Sequence, residues 1–376
     1  MERSNRKNRE KMRRKIVLCL TMGIFFIPII LRGEETKKVQ EIINNSGKPE
    51  NPEAGRILKL EEEIRISDES GKFFFQYPGN VRVATDGSIF IIDRDLLLRF
   101  SENGKLLHNY FKKGVGPGEV DFARDYDFQD EKLIMISSSP MKIVTFDFNG
   151  QLLDDVTLHQ SFLFFQFLFI KNDRIYFFKN ERPERAEKPG VMDAPYVLIS
   201  MDMKGQNLKE HLTLPYQAFV SGGAWAGLGR MTTVSYKTKY LFIANTEEYL
   251  IKMFDVESQE MMKSFTRKYK RVIPPEDYRW GGIYDSEGKR LGPPPPKYLP
   301  DISAMYIVNN SLWVRTSTKH QDKGYLIDVF EFDGSYVDSF YLRTEGQIIS
   351  THENSIFLRE TDQNDLVSIV KYRIIG

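Results

Sequence analysis

Aspartate recurs beside short apolar runs at Asp86, Asp93, Asp147 and Asp202. Several carboxylates converging on one point would hold calcium or a hydrolytic metal. Each of these four sits at a turn, where an aspartate commonly hydrogen-bonds its own backbone. The five histidines, His108, His159, His211, His320 and His352, are scattered without the close spacing of a zinc site. Of these, His108, His159 and His211 follow turns and are predicted to face solvent. Gly114-Val-Gly-Pro-Gly-Glu119 has the glycines of a phosphate cradle, but no Lys-Ser/Thr follows and no helical pattern succeeds it. It is read as a tight passage between elements. The sequence therefore assigns no catalytic residue, no metal ligand and no cofactor.

Three long insertions carry a binding signature instead. Residues 180–194 hold Arg182 and Arg185 among prolines. Residues 216–230 hold Phe219 and Trp225 in a Gly-rich stretch, and residues 273–300 hold Tyr278, Arg279, Trp280 and Tyr284 before a run of four prolines. Insertions this long in a compact domain are usually functional or disordered. Tyr, Trp and Arg dominate binding hot spots, so these eight residues are the candidate partner contacts.

The elements that must position them are repeats. The octets FSENGKLL from Phe100, FDFNGQLL from Phe146, MDMKGQNL from Met201 and FEFDGSYV from Phe330 share one pattern, and FDVESQEM from Phe254 follows it with Ser for Gly. Asn-Gly and Asp-Gly supply the positive φ angles of a tight turn between antiparallel strands. A second strand pair precedes each octet, as at 80–84 with 88–92 and at 232–236 with 240–244. Four strands in 35 to 55 residues make a propeller blade.

Such sets fall at 80–111, 123–158, 162–214, 230–267 and 301–343. A sixth, 348–376, has three strands, and residues 57–66 form a strand with no blade of its own. Pairing the two closes a ring and removes two exposed edges. The expected fold is all-β: a six-bladed β-propeller over 57–376, with one blade completed by an N-terminal strand. In such a blade the B–C loops and the D-to-A connections emerge on one face, and the three insertions fall there.

Upstream, residues 34–56 are polar and read as a linker. Residues 1–15 carry eight Lys or Arg against two Glu, and residues 16–31 contain no charge. A basic tip before an apolar run is the pattern of a signal peptide or membrane-anchor helix over 1–33, with the body exported to the periplasm or the outer face of a membrane. The overall formal charge of +1 argues against nucleic acid as a partner. Cys19 is the only cysteine, so no disulfide-linked oligomer of the exported body is expected.

The octet DGSIFIID from Asp86, the run LRFSENGKL from Leu98 and GVGPGE from Gly114 resemble NHL-type six-bladed propellers of the exported bacterial kind. The likeness is strong in the first two blades and looser in the other four, where the Gly-Pro-Gly passage is lost. It implies the fold and a tendency to bind protein, glycan or RNA, without implying one activity. The leading expectation is an exported or membrane-anchored scaffold that binds a protein, peptide or glycan on its long-loop face. The alternative is a metal-dependent lactonase-like hydrolase or lyase working in the central channel.

Overall fold

The computed structural model describes residues 42–376 apart from 69–70, 159–164, 182–185, 223, 279–286, 290–295 and 376. The apolar run 16–31, expected to be a signal or anchor helix, lies outside the described residues. Among the described residues every regular element is a strand, and no helix is long and apolar enough to cross a membrane.

Six antiparallel four-stranded sheets follow one another along the chain, each in A-B-C-D order. Blade 1 is Gly79–Val83, Ile89–Asp93, Leu96–Phe100 and Leu106–Asn109. Blade 2 is Phe122–Gln129, Lys132–Ser139, Met141–Asp147 and Leu152–Thr157. Blade 3 is Phe165–Lys171, Arg174–Asn180, Tyr196–Asp202 and Lys209–Leu214. Blade 4 is Met231–Tyr236, Tyr240–Asn245, Ile251–Asp255 and Glu260–Arg267. Blade 5 is Ile302–Val308, Ser311–His320, Gly324–Phe330 and Tyr336–Leu342. Blade 6 takes Gln347–His352, Ser355–Thr361 and Val367–Ile375 from the C-terminal end. Its D strand is Lys59–Ile66.

The core is divided into six apolar clusters, one at each blade junction. This explains why the B strands read as nearly unbroken apolar runs. Every residue of Ile89–Asp93 is buried. In blade 2, Leu133 and Met135 pack toward blade 1 while Ile134 and Ile136 pack toward blade 3. A strand covered on both faces has no solvent side to make polar.

Ring closure is antiparallel, with Lys59–Ile66 in register against Val367–Ile375. The two strands are electrostatically matched: Glu63 pairs with Lys371 at 3.0 Å and Glu61 with Arg373, while Arg65 reaches Glu360 of Ser355–Thr361 at 3.0 Å. Ile66, 3 % exposed, packs at the junction of blades 6 and 1 with Phe357, Ile369 and Phe100. The inner strands of blades 6 and 1 then lie side by side.

The segment expected as a linker is in part a strap, which corrects that reading. Ile42–Asn45 adds a fifth, parallel strand to blade 4, and Arg56–Ile57 does the same to blade 5. Its polar composition is what an outer edge demands, since only its backbone and a few side chains bond to the blades. Asn45 donates to the carbonyls of Thr266 in blade 4 at 3.0 Å and Gly334 in blade 5 at 2.9 Å, and accepts from Tyr336 N–H at 3.1 Å. Arg56 makes two bonds to the Asp338 carboxylate, at 3.0 and 2.8 Å.

Beneath the strap, the junction of blades 4 and 5 contains a buried ion pair. The Asp328 carboxylate is inaccessible to solvent and accepts from Arg267 Nε at 2.7 Å, Tyr249 hydroxyl at 2.5 Å and Tyr336 hydroxyl at 2.8 Å. The Arg267 guanidinium lies 5.0–5.2 Å from the ring centres of Tyr249, Tyr269 and Tyr336. A charge buried this deeply is tolerated only with its partner in place.

Asp328→Ala should therefore lower unfolding free energy by about 3–5 kcal/mol, read from the denaturant midpoint. Combining it with Arg267→Met should recover part of the loss. Separately, a chain lacking residues 42–66 should expose the free edge of Val367–Ile375 and self-associate, seen as higher-order species in size-exclusion chromatography.

Candidate functional site

Two regions could meet a ligand: the central channel and the loop face. The channel is a cavity of about 960 Å³ lined by the inner strands of all six blades. Where the outward side of a half-buried strand would face water, these A strands face the channel, so the polar half of their alternation lines it. Arg82 of blade 1 bonds Asp127 of blade 2 at 3.2 Å, and the other Asp127 oxygen accepts the Ile170 N–H of blade 3 at 2.7 Å. This chain of bonds ties three successive inner strands together. Arg82 also lies 5.6 Å from the ring centres of both Tyr126 and Phe167.

Asp125 stands beside this pair, 3.7 Å from Arg82, and accepts from Asn80 Nδ2 at 3.1 Å and from Tyr126 N–H at 2.8 Å. Burial pushes its carboxyl up to about 6, against the opposing pull of Arg82. The Tyr126 hydroxyl, raised well above its ordinary value by burial, sits between the carbonyls of Phe90 and Asn80, which share its one proton. At the A–B turn end, Tyr236 hydroxyl donates to Asn310 Oδ1 at 2.7 Å, and Asn309 Nδ2 donates to Asn354 Oδ1 at 2.8 Å. Burial holds His352 below the usual imidazole value, so it lines the channel as a neutral group near pH 7. The channel is thus polar and largely self-satisfied. Among the described residues, no three His, Cys, Asp or Glu side chains converge on a metal-sized point.

The turn aspartates act on backbone. Asp147 accepts Asn149 and Gln151 N–H at 2.9 and 2.7 Å, and Asp202 accepts Lys204 and Gln206 N–H at 3.0 and 2.8 Å. Asp86 accepts Ser88 N–H at 2.9 Å and pairs with Arg99 at 2.6 Å. Asp93 differs: its carboxylate reaches back to Gln76 and Tyr77 N–H, at 2.6 and 3.0 Å, and pins the entry to blade 1. In the Gly114–Glu119 passage, Glu119 Oε2 accepts Gly116 N–H at 3.0 Å and fills the cradle itself. Gly114 has a φ of 148°, a conformation that L side chains rarely adopt, which is what favours glycine there. Lys142 Nζ closes the passage from below, bonding the Gly116 carbonyl at 2.9 Å and Asp155 at 3.0 Å.

The histidines expected at the surface are only partly there. His108 is half-buried against Tyr110, and His211 stacks on Tyr176 while sharing a 2.7 Å hydrogen bond with Ser200. His159 lies outside the described residues. His108 and His211 each belong to an outer strand whose inner side packs on the blade, which is why solvent reaches only part of the ring.

The loop face carries an unforeseen element. Ala186–Asp193, within the blade 3 B–C insertion, pairs antiparallel with Gln217–Gly222 of the connection to blade 4, which pairs in turn with Ala224–Gly227. Two insertions about thirty residues apart thus form one accessory three-stranded sheet. Phe219 is buried in it, and Trp225 packs against the core between blades 3 and 4. Val191, on the outer strand, is 50 % exposed. Tyr278 is exposed in the next connection, whose base is closed by Leu299 N–H to Val272 O at 2.8 Å. Arg182, Arg185, Arg279, Trp280 and Tyr284 lie outside the described residues. Sequence reasoning passed over Arg82 and Asp125, whose signal was the alternation of polar residues in the inner strands of blades 1 and 2, Asn80 with Arg82 and Asp125 with Asp127.

Residues 68–270 match the 6-bladed beta-propeller family DUF5128. The chain belongs to this family. No curated protein sequence matches it. Among solved structures, a Bacteroides fragilis protein described as exported is similar at 13 % identity and a TM-score of 0.53, covering 89 % of this chain and 100 % of its own. A member of the DUF4221 family from Bacteroides vulgatus is similar at 9 % identity and a TM-score of 0.55, covering 85 % and 99 %. At such identities the likeness is one of fold.

A carboxyl whose folded-state pKa lies above its unfolded value binds more protons in the native state, so stability falls as pH rises. For Asp125 that window runs from the ordinary carboxylate value through about 6. Asp125→Asn should flatten the pH dependence of the denaturation midpoint across it. Side-chain carbonyl NMR should place the wild-type titration near the upper end.

Proposed function

We propose that this propeller is an exported or membrane-anchored scaffold that binds a protein, peptide or glycan through its long-loop face. The accessory sheet is the observation that carries this reading. Most connections in a compact domain are short, yet here two insertions are organised into a sheet that adds nothing to ring closure. That sheet presents Val191 outward and leaves the far edge of Ala186–Asp193 without a pairing strand among the described residues. Ordered insertions that the ring does not require are candidates for recognition, and a rigid platform loses less entropy on binding than a mobile loop.

The contacts are assigned to Val191, Tyr278, Trp280 and the basic residues Arg182 and Arg185. Phe219 and Trp225 serve as the platform's support. Export follows from the basic tip and apolar run at 1–31, in keeping with the B. fragilis structure described as exported.

The test is chemical cross-linking of the full chain in its native membrane and extracellular fractions, followed by identification of the captured partner. A Val191→Asp, Tyr278→Ala variant, altered at two exposed positions, should keep its melting temperature, since exposed substitutions change stability by roughly 0.5 kcal/mol or less, and should lose the captured partner. Undiminished capture by this variant would remove the long-loop face from the function.

A further inference from the structure

Between blades 5 and 6 lies a second cavity, of about 590 Å³. Three cations line it, all from blade 5. Arg315 and Lys319 come from strand B, and Arg343 directly follows strand D. Tyr325 of strand C stands between them: it pairs with Lys319 on one side and with Leu342, the neighbour of Arg343, on the other. The strand B register slips between Arg315 and Lys319, and both side chains reach this one ring. The Arg315 guanidinium is 4.0 Å from its centre and the Lys319 ammonium 5.3 Å.

Among the described residues none of the three forms an ion pair. Glu345 lines the same cavity without pairing to any of them. Arg315 Nε is shielded from solvent and has no hydrogen-bond partner. Like charges gathered round a sheltered recess repel one another, and a buried donor without an acceptor is costly. The walls are also shaped closely. A Cβ on Gly324 would lie 2.1 Å from the Leu342 carbonyl oxygen, and one on Gly346 would lie 2.2 Å from that of Arg359.

We propose that this cavity binds a small sugar acid, with its carboxylate held by Arg315, Lys319 and Arg343. A carboxylate supplies the missing acceptor and the missing negative charge together, and charge-assisted bonds are the strongest available to it. Beside Glu345, the rest of the polar lining is neutral: the amides of Gln321 and Gln347 and the hydroxyl of Thr344 suit the hydroxyls of a sugar. The cavity volume falls within the roughly 300–1,000 Å³ of small-ligand sites. The accessory sheet stands on blades 3 and 4, and none of its residues lines this cavity.

Isothermal titration of the full chain with glucuronate, glucose and inorganic phosphate tests the assignment. Glucuronate should bind saturably and glucose should not. Arg343→Gln and Lys319→Met, both at exposed positions, should each weaken glucuronate at least about tenfold with unchanged melting temperature. Arg315→Met should abolish binding. Glucose binding as tightly as glucuronate, or exposed-site variants that bind like the wild type, would overturn the proposal. So would the absence of saturable glucuronate binding up to tens of millimolar. Phosphate binding more tightly than glucuronate would overturn the sugar-acid assignment in favour of a phosphate site.

Discussion

Everything in this ring depends on one pairing, Lys59–Ile66 against Val367–Ile375. The two strands are separated by some three hundred residues, and joining such distant points costs about 5 kcal/mol in loop-closure entropy. Leu58, Ile66 and the flanking Leu60 and Ile64 pack at the two junctions beside the pairing. At about 1.5–3 kcal/mol for each fully buried aliphatic side chain, the buried Leu58 and Ile66 roughly offset that cost. Charge complementarity between an acidic and a basic strand then fixes the partner and the register. Without the pairing, blade 6 would lack a strand and blades 6 and 1 would lose their shared core.

The strap extends the same logic outward. Having left Asn45 bridged between blades 4 and 5, the chain bonds the edge of blade 5 and then enters blade 6. Three consecutive blades are thereby tied by one run of some twenty-five residues. The buried Arg267–Asp328 pair lies at the junction this run covers, where water exclusion makes the pairing geometry exacting.

The ring also separates stability from recognition. Apolar side chains fill the six junctions, so what remains for ligands is the polar lining of the channel and the loops above it. The channel groups mostly bond each other across blades, as Arg82 with Asp127 and Tyr236 with Asn310 do. Unspent polar capacity lies on the loop face, at the accessory sheet and in the cavity of blade 5. Of the contacts that aromatic and basic residue types suggested, Phe219 is core and Tyr278 is surface, although both stand in long insertions. Residue type alone does not distinguish them, because their exposure is set by which strand each insertion pairs with.

By itself the sequence determined the blades, their boundaries and the orphan strand that completes the sixth. These follow from turn chemistry and from apolar runs, both written within about ten consecutive residues. Turn aspartates such as Asp147 and Asp202 were legible for the same reason, since they bond backbone two to four residues away. The tertiary structure alone decided that residues 42–57 strap the outside of the ring. It likewise decided that two insertions fuse into a sheet, and that Arg315, Lys319 and Arg343 meet around Tyr325. Each of these joins residues that no local pattern relates, and strand pairing across tens to hundreds of residues is what brings them within reach of one another.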